Sequence, residues 1–183
     1  MQTNKLVILD RDGVINIDHL GRYVTCPEEW QPIPGSIEAM AQLNQLGFRI
    51  AVASNQAGIA KGLYSQEELQ AIHAKMQRVC HQHNAVIDYI TYCPHRNEDH
   101  CACRKPQPGM LLEIARHFHT DLQQVVFVGD KLTDMQAAEN AGCIPIMVLT
   151  GHGESELAKY QLQLQHIKIY ENLERYVASI IPK

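Results

Sequence analysis

Apolar residues along the chain fall into six short, nearly continuous runs: KLVIL (5–9), FRIAVAS (48–54), VIDYITY (86–92), QVVFV (124–128), IPIMVL (144–149) and HIKIY (166–170). They are rich in Val and Ile and too short for helices, which predicts strands buried on both faces. Longer segments with helical periodicity lie between them. Pro34 and Gly35 open one that Gly47 closes after Leu46. Ser65 and Glu68 form a capping box before a helix reaching about His83. Pro108 opens the next, to about His119; Asp134 starts a short one stopped by Gly142; the last runs from Asn172 to about Ile181. Strand and helix in alternation predict an α/β, three-layer, doubly wound parallel sheet. No repeat or interdomain linker interrupts residues 1–183, so a single domain is expected.

In such a sheet, ligands bind beyond the carboxyl ends of the strands. The residues in those positions are Asp10-Arg11-Asp12-Gly13, Ser54-Asn55-Gln56, Cys93-Pro94-His95 and Gly129-Asp130-Lys131. Side chains two apart in extended chain point the same way, so Asp10 and Asp12 could share a site while Arg11 points elsewhere. Two close carboxylates repel unless a cation joins them or one keeps a proton. Mg²⁺ suits them, being a hard ion that takes oxygen ligands and bridges to phosphate, and Asp130 could supply a further ligand. One carboxylate could act as a nucleophile and the other as a general acid and base. A turn before Gly13 would also account for a lone DxDG, but not for Ser54, Lys105 and GDKLTD (129–134) arriving in order.

Composition narrows the partners. A 45% hydrophobic chain can build a core, and a net charge of −4 without a basic run argues against nucleic acid. No stretch approaches the ~18 apolar residues of a membrane span, and MQTNKLVILD does not read as a leader. Six cysteines without an export signal point to a reducing, cytoplasmic location, where metal binding outranks disulfides. Cys93, His95, Cys101 and Cys103 have the donor set of structural Zn²⁺, with His100 an alternative to His95; four protein ligands would leave no open position for catalysis. This loop (93–105) ends in Arg104 and Lys105, so a zinc clamp there would hold both cations over the rim.

DRDG at 10–13, Ser54 after the second strand, Lys105 and GDKLTD together resemble the four motifs of the haloacid dehalogenase-like (HAD) phosphohydrolases, across residues 5–150. The resemblance implies Asp10 as nucleophile, Asp12 as general acid and base, and Ser54 and Lys105 holding the transferring phosphoryl oxygens. It also implies Mg²⁺ bound by the Asp10 and Asp130 carboxylates and by the Asp12 backbone carbonyl. Asp134 would support the metal ligands or cap a helix. Connections after the first two strands are too short for a separate cap domain, which favours hydrolysis over phosphoryl transfer to another substrate.

DRDGVIN with DHLGRYV, SNQAGIAKG, the CPH…CACRKPQPGM run and GDKLTDMQAA resemble one branch of that family more narrowly, phosphatases of small sugar bisphosphates. That resemblance implies a phosphorylated sugar as partner, a monomer, a place in lipopolysaccharide precursor synthesis, and Asp18, His19, Tyr23, Asn55, Gln56, Arg104 and Lys131 as substrate contacts. DHLGRYV is longer than the branch's DHGYV-like stretch, and the zinc loop is short. A histidinol-phosphate phosphatase, from a branch that also carries a zinc loop, is the alternative; an inactive zinc-stabilised binding module is the alternative outside catalysis. Arg104 could instead pair with Glu98 or Asp99, and Lys131 could be solvated. His73, His81 and His83 read as surface or edge residues, Cys80 and Cys143 as core fillers, and Trp30 as an anchor for the long loop after the first strand. GHGE (151–154) reads as a turn or a rim element.

Overall fold

A computed structural model describes residues 5–19 and 21–181. Residues 1–4, part of the stretch weighed as a leader, and Leu20 within DHLGRYV lie outside the described residues. The six apolar runs become six strands: β1 (Leu6–Leu9), β2 (Arg49–Asn55), β3 (Tyr89–Cys93), β4 (Val126–Gly129), β5 (Ile144–Val148) and β6 (Lys168–Tyr170). They form one sheet in the order β3-β2-β1-β4-β5-β6, every pairing parallel. The helices are α1 (Ser36–Gln45), α2 (Gln66–Gln82), α3 (Gly109–Phe118), α4 (Leu132–Ala141), α5 (Gly153–Lys159), α6 (Gln161–Leu164) and α7 (Leu173–Ile180).

The strands read as continuous apolar runs because both faces are covered. On β1, Val7 and Leu9 face a core built with α1, α2 and α7, while Leu6 and Ile8 face one built with α3 and α4. All four are buried. Cys80 and Cys143 fill these two cores, as their sequence context implied.

Three differences from the sequence expectations have local causes. Helix α4 begins at Leu132, before Asp134, because the Asp134 side chain folds back on the Lys131 N–H at 3.1 Å and completes a capping box. Helices α5 and α6 occupy a stretch of which only GHGE was read, as a turn or a rim element; their Leu157 and Leu164 pack into a third apolar cluster. The third strand starts late: Val86 to Asp88 approach as loop, and Asp88 brackets the Ile50 backbone by accepting from its N–H at 2.8 Å and donating to its carbonyl at 2.8 Å.

The connection from β1 to α1 is held down rather than loose. Trp30 is 1% exposed and packs in the same core as Val14, Ile15 and Val24. Lys75 of α2 donates to the carbonyls of Pro27 (2.7 Å) and Trp30 (2.9 Å). Among the described residues, the connections after β1, β2 and β3 contain only short 3-10 turns as regular structure. Among the described residues, no helix is long and apolar enough to cross a membrane.

Candidate active site

The chain winds outward in both directions from the neighbouring strands β1 and β4, so a crevice forms where their carboxyl ends part. Asp10 leaves β1 and Asp130 leaves β4 at this point, and Asp134 comes from the first turn of α4. One carboxylate oxygen from each lies within 4.8 Å of the others. All three are at most 4% exposed.

Lys105 reaches into this group. Its Nζ is 2.9 Å from Asp10 Oδ1, 2.7 Å from Asp134 Oδ1 and 3.0 Å from the Ala53 carbonyl. Burial opposes its charge, but Asp10 and Asp134 outweigh burial and raise its pKa. One ammonium cannot neutralise three carboxylates. Burial accordingly pushes the Asp10 carboxyl up to about 6, against Lys105, with Asp134 adding to the rise. Burial likewise drives Asp130 well above the carboxylate range, despite the pull of Lys131. Asp130 Oδ2 accepts the His152 N–H at 2.8 Å, whereas buried Asp130 Oδ1 has no hydrogen-bond partner. An orphaned buried oxygen inside an excess of negative charge is costly. A hard dication with oxygen ligands removes both costs, so the donors present fit Mg²⁺.

Asp134 caps a helix, one of the two roles left open for it. Its Oδ2 accepts the N–H groups of Asp130 (3.2 Å) and Lys131 (3.1 Å), while Oδ1 meets Lys105. It thus caps α4 and ties the β4 end to the lysine.

Asp12 has a different environment. Its carboxylate accepts from Arg11 Nη2 (2.9 Å), Asn16 Nδ2 (2.9 Å) and Gln56 Nε2 (2.8 Å). Burial works to raise its pKa, but Arg11 first, then the Asn16 and Gln56 hydrogen bonds, outweigh burial and hold it below the ordinary value. Two neighbouring aspartates are therefore pushed apart: Asp10 upward, Asp12 downward.

The alternation rule would send Arg11 away from this site. Instead it is 1% exposed and its guanidinium curls onto Asp12 and onto Gln56 Oε1 at 3.2 Å. The chain turns immediately after Asp10, with Ile15 and Asn16 N–H groups closing on the Arg11 carbonyl, so strand alternation no longer applies. Behind Arg11 sits His73, 8% exposed, with Nε2 3.4 Å from Nη1. This corrects its reading as an edge residue; His81 and His83 are exposed as expected. Burial first, then Arg11, lowers the His73 pKa to about 3, so its ring is neutral. Tyr64 completes the network by donating to Gln56 Oε1 at 2.5 Å. Gln56 in turn donates to Ser54 Oγ at 2.7 Å, which brings Ser54, Gln56 and Asp12 into one cluster. Sequence reasoning missed Arg11, His73 and Tyr64. Only the contact map of the fold joins them, because they come from a turn, a mid-helix position and a loop.

Among the remaining predicted contacts, Asn55 clamps the backbone of residue 105, its amide accepting from the Lys105 N–H (3.1 Å) and donating to the Lys105 carbonyl (3.2 Å). Arg104 does not pair with Glu98 or Asp99; it donates to Asn97 Oδ1 (2.6 Å) and the His95 carbonyl (3.2 Å). Lys131 is not free in solvent, since its Nζ lies 3.0 Å from Asp18 Oδ2. A cleft of about 390 Å³ is lined by Arg11, Asp12, Asp18, Tyr23, Lys131 and His152 among others. A second, of about 570 Å³, is lined by Arg96, Arg104 and Lys105, and the two share Tyr23, Asn55 and Lys131. His19 is exposed and lines neither.

The 93–105 loop gathers Cys93, His95, Cys101 and Cys103. Cys103 Sγ lies 3.1 Å from Cys93 Sγ, 3.4 Å from Cys101 Sγ and 3.3 Å from His95 Nδ1. These separations are too long for a disulfide and near the ~3.7 Å edges of a tetrahedron with Zn–S bonds of about 2.3 Å. His95, not His100, presents its ring to the thiols. The four donors could hold a zinc ion.

Comparison with known proteins agrees with this geometry. Residues 102–175 match the HAD-hydrolase-like family. The D-glycero-beta-D-manno-heptose-1,7-bisphosphate 7-phosphatase of Bordetella bronchiseptica is 50% identical over 155 residues, 85% of this chain and 86% of that protein. The enzyme of the same name from Pseudomonas putida is 48% identical over 85% of this chain and 88% of its own. Among solved structures, the D,D-heptose 1,7-bisphosphate phosphatase of B. bronchiseptica, complexed with magnesium and phosphate, superposes with a TM-score of 0.92 at 45% identity, covering 96% of this chain and 97% of that one. The corresponding Burkholderia thailandensis protein gives a TM-score of 0.74 at 34% identity, over 98% and 99%.

Proposed function

Because this chain belongs to the HAD-like hydrolases, in the family of the D-glycero-beta-D-manno-heptose-1,7-bisphosphate 7-phosphatases, we propose that it hydrolyses the 7-phosphate of that heptose bisphosphate and leaves the 1-phosphate in place. Such a reaction would serve the synthesis of activated heptose for lipopolysaccharide precursors. The observation that carries the reading is the convergence of Asp10, Asp130 and Asp134 on one point bridged by Lys105, where the parallel sheet parts.

Asp10 and Asp130, with the Asp12 carbonyl, would hold Mg²⁺, which when bound neutralises phosphoryl oxygens and screens the acids from one another. Asp10 attacks phosphorus in line; the bond from phosphorus to the sugar oxygen breaks, and Asp12, which must take up a proton when the negatively charged phosphate binds beside it, supplies the proton that oxygen needs. Asp12 is then a carboxylate, the form its Arg11, Asn16 and Gln56 partners favour. It takes a proton from water, whose oxygen attacks the aspartyl phosphate, releasing phosphate and restoring Asp10. Lys105 and Ser54 hold the transferring oxygens, and Gln56 fixes Ser54 for that purpose. Arg104 and Lys131 are suited to the second, non-reacting phosphate, Arg through its planar fork. Asp18, Tyr23 and Asn55, which line the cleft, complete the substrate contacts, whereas His19 lies outside it and the Gln56 amide is taken up by Asp12 and Ser54. Cys93, His95, Cys101 and Cys103 would hold a structural zinc, which when bound would stiffen the loop that delivers Arg104 and Lys105.

A panel of phosphate esters assayed with Mg²⁺ tests the proposal. The heptose 1,7-bisphosphate should give the highest kcat/KM, with the 1-phosphate as product. Preference for histidinol phosphate would move the chain to that alternative, and inactivity on every ester would leave a zinc-stabilised binding module.

A further inference from the structure

Tyr64 stands in the connection between β2 and α2, outside every motif, yet it is 4% exposed and its hydroxyl reaches the end of β2. The ring is closely fitted. A Cβ at Gly58 would lie 2.1 Å from Tyr64 Cε1 and 2.9 Å from its hydroxyl oxygen, so only glycine at 58 leaves the ring its place. Burial pushes the phenol above its ordinary range, so the hydroxyl keeps its proton and donates it to Gln56. Every hydrogen-bonding position of the Gln56 amide is then filled. Oε1 accepts from Tyr64 Oη (2.5 Å) and Arg11 Nη2 (3.2 Å), and Nε2 donates to Asp12 Oδ2 (2.8 Å) and Ser54 Oγ (2.7 Å). The amide cannot be turned over, because a guanidinium only donates and a carboxylate only accepts. Ser54 therefore spends a lone pair on Gln56, and its own O–H has no acceptor among the described residues. That single proton is left for an oxygen brought in by substrate.

We propose that Tyr64 is a positioning residue for phosphoryl transfer: by holding the Gln56 amide it commits Ser54 Oγ to accept from the protein and to donate to a transferring phosphoryl oxygen. The inference rests on the reading of Ser54 as a group that holds those oxygens. Ser54, rather than Asp12, is the group that depends on the tyrosine. Asp12 keeps Arg11 and Asn16 when Gln56 is disturbed, whereas Gln56 is the one side-chain partner of Ser54 among the described residues. Arg11 is a weaker anchor for Oε1, being longer at 3.2 Å and shared with Asp12 and His73. A donor fixed in advance counts most where charge on the phosphoryl oxygens is greatest, in the transition state.

Steady-state kinetics on wild type, Tyr64→Phe, Ser54→Ala and the double variant test it, using the best sugar phosphate of the panel and p-nitrophenyl phosphate. Ser54→Ala should lower kcat about a hundredfold, the scale of one lost oxyanion donor. Tyr64→Phe removes one oxygen and keeps the ring. It should lower kcat about fivefold on both substrates, the scale of one neutral hydrogen bond, with KM held within about twofold. In the Ser54→Ala background it should add less than about twofold, since both changes act through one hydroxyl. Orthovanadate, a mimic of five-coordinate phosphorus, should inhibit Tyr64→Phe more weakly by the factor lost in kcat/KM. Three results would overturn the inference: an unchanged kcat in Tyr64→Phe, whatever its Tm; a loss of the same size with and without Ser54; or a loss confined to KM for the sugar phosphate. Full activity of Ser54→Ala would reject the reading of Ser54, and this inference with it. A wild type inactive on every ester would reject the functional reading itself before any variant is compared.

Discussion

The floor and the wall of the site bring charge to the same point by different means. The floor consists of the ends of β1 and β4 and the first turn of α4. It is ordered by parallel pairing, extended by Asp10 N–H donating to the Val128 carbonyl at 2.9 Å, and by hydrogen bonds from main chain to carboxylate, such as Lys131 N–H to Asp134 Oδ2 at 3.1 Å. The wall is residues 93–107. Beyond Cys93, which ends β3, it contains one short 3-10 turn as regular structure; it gathers four thiol and imidazole groups and is held by the Asn55 clamp. Yet the wall delivers Lys105, the cation most deeply engaged with the floor. The floor is thus stable as a piece of sheet but overcharged, and the wall is correctly charged but dependent on cross-linking. The two metal ions proposed, one on oxygen ligands and one on sulfur, would act on these two regions separately.

That contrast can be broken at defined points. The largest effect should come from Asp10→Asn, which removes the nucleophile from the floor: kcat should fall by about a thousandfold or more, while thermal unfolding shows a Tm equal to or above wild type because a like charge is gone. A retained Tm with retained activity would reject Asp10 as nucleophile. Chelation by EDTA comes next, with turnover lost and then restored by Mg²⁺; elemental analysis alongside the assay should show that the recovered protein still holds about one zinc per chain. Cys101→Ser should act on the wall alone. Zinc content and Tm should fall, with kcat reduced about tenfold or more as Lys105 loosens. A fully active, zinc-free protein would separate the loop from catalysis.

Smaller effects should sharpen the internal division of the floor. Arg11→Lys keeps the charge beside Asp12 but loses the fork, so kcat should drop about tenfold with KM nearly unchanged. The smallest effect concerns the neutral ring behind it. His73 has a folded pKa of about 3 against 6.5 when unfolded, so the unfolded chain binds the extra proton between those values. Stability should therefore decline as pH falls through that window, by at most about 1.4 kcal/mol per pH unit from this group. His73→Gln should flatten the acid limb of a denaturation-versus-pH series by about one proton.

The sequence carried much of this. Continuous Val- and Ile-rich runs reported strands buried on both faces, the Ser65–Glu68 pair marked the start of α2, and DRDG, Ser54 and GDKLTD stood at strand ends, with Lys105 in the loop after β3, because ligand chemistry in a parallel sheet lies beyond its carboxyl edge. The Cys93-x-His95 and Cys101-x-Cys103 cluster was legible because its four donors lie close together in the sequence. What tertiary structure decided was direction. The inward fold of Arg11, the burial of His73, the turning of Asn55 onto the Lys105 backbone and the meeting of Lys131 with Asp18 join residues up to 113 positions apart. Local periodicity cannot reach across that distance. Side-chain direction at a turn depends on which neighbours compete for its hydrogen bonds, and those neighbours exist only once the chain has closed on itself.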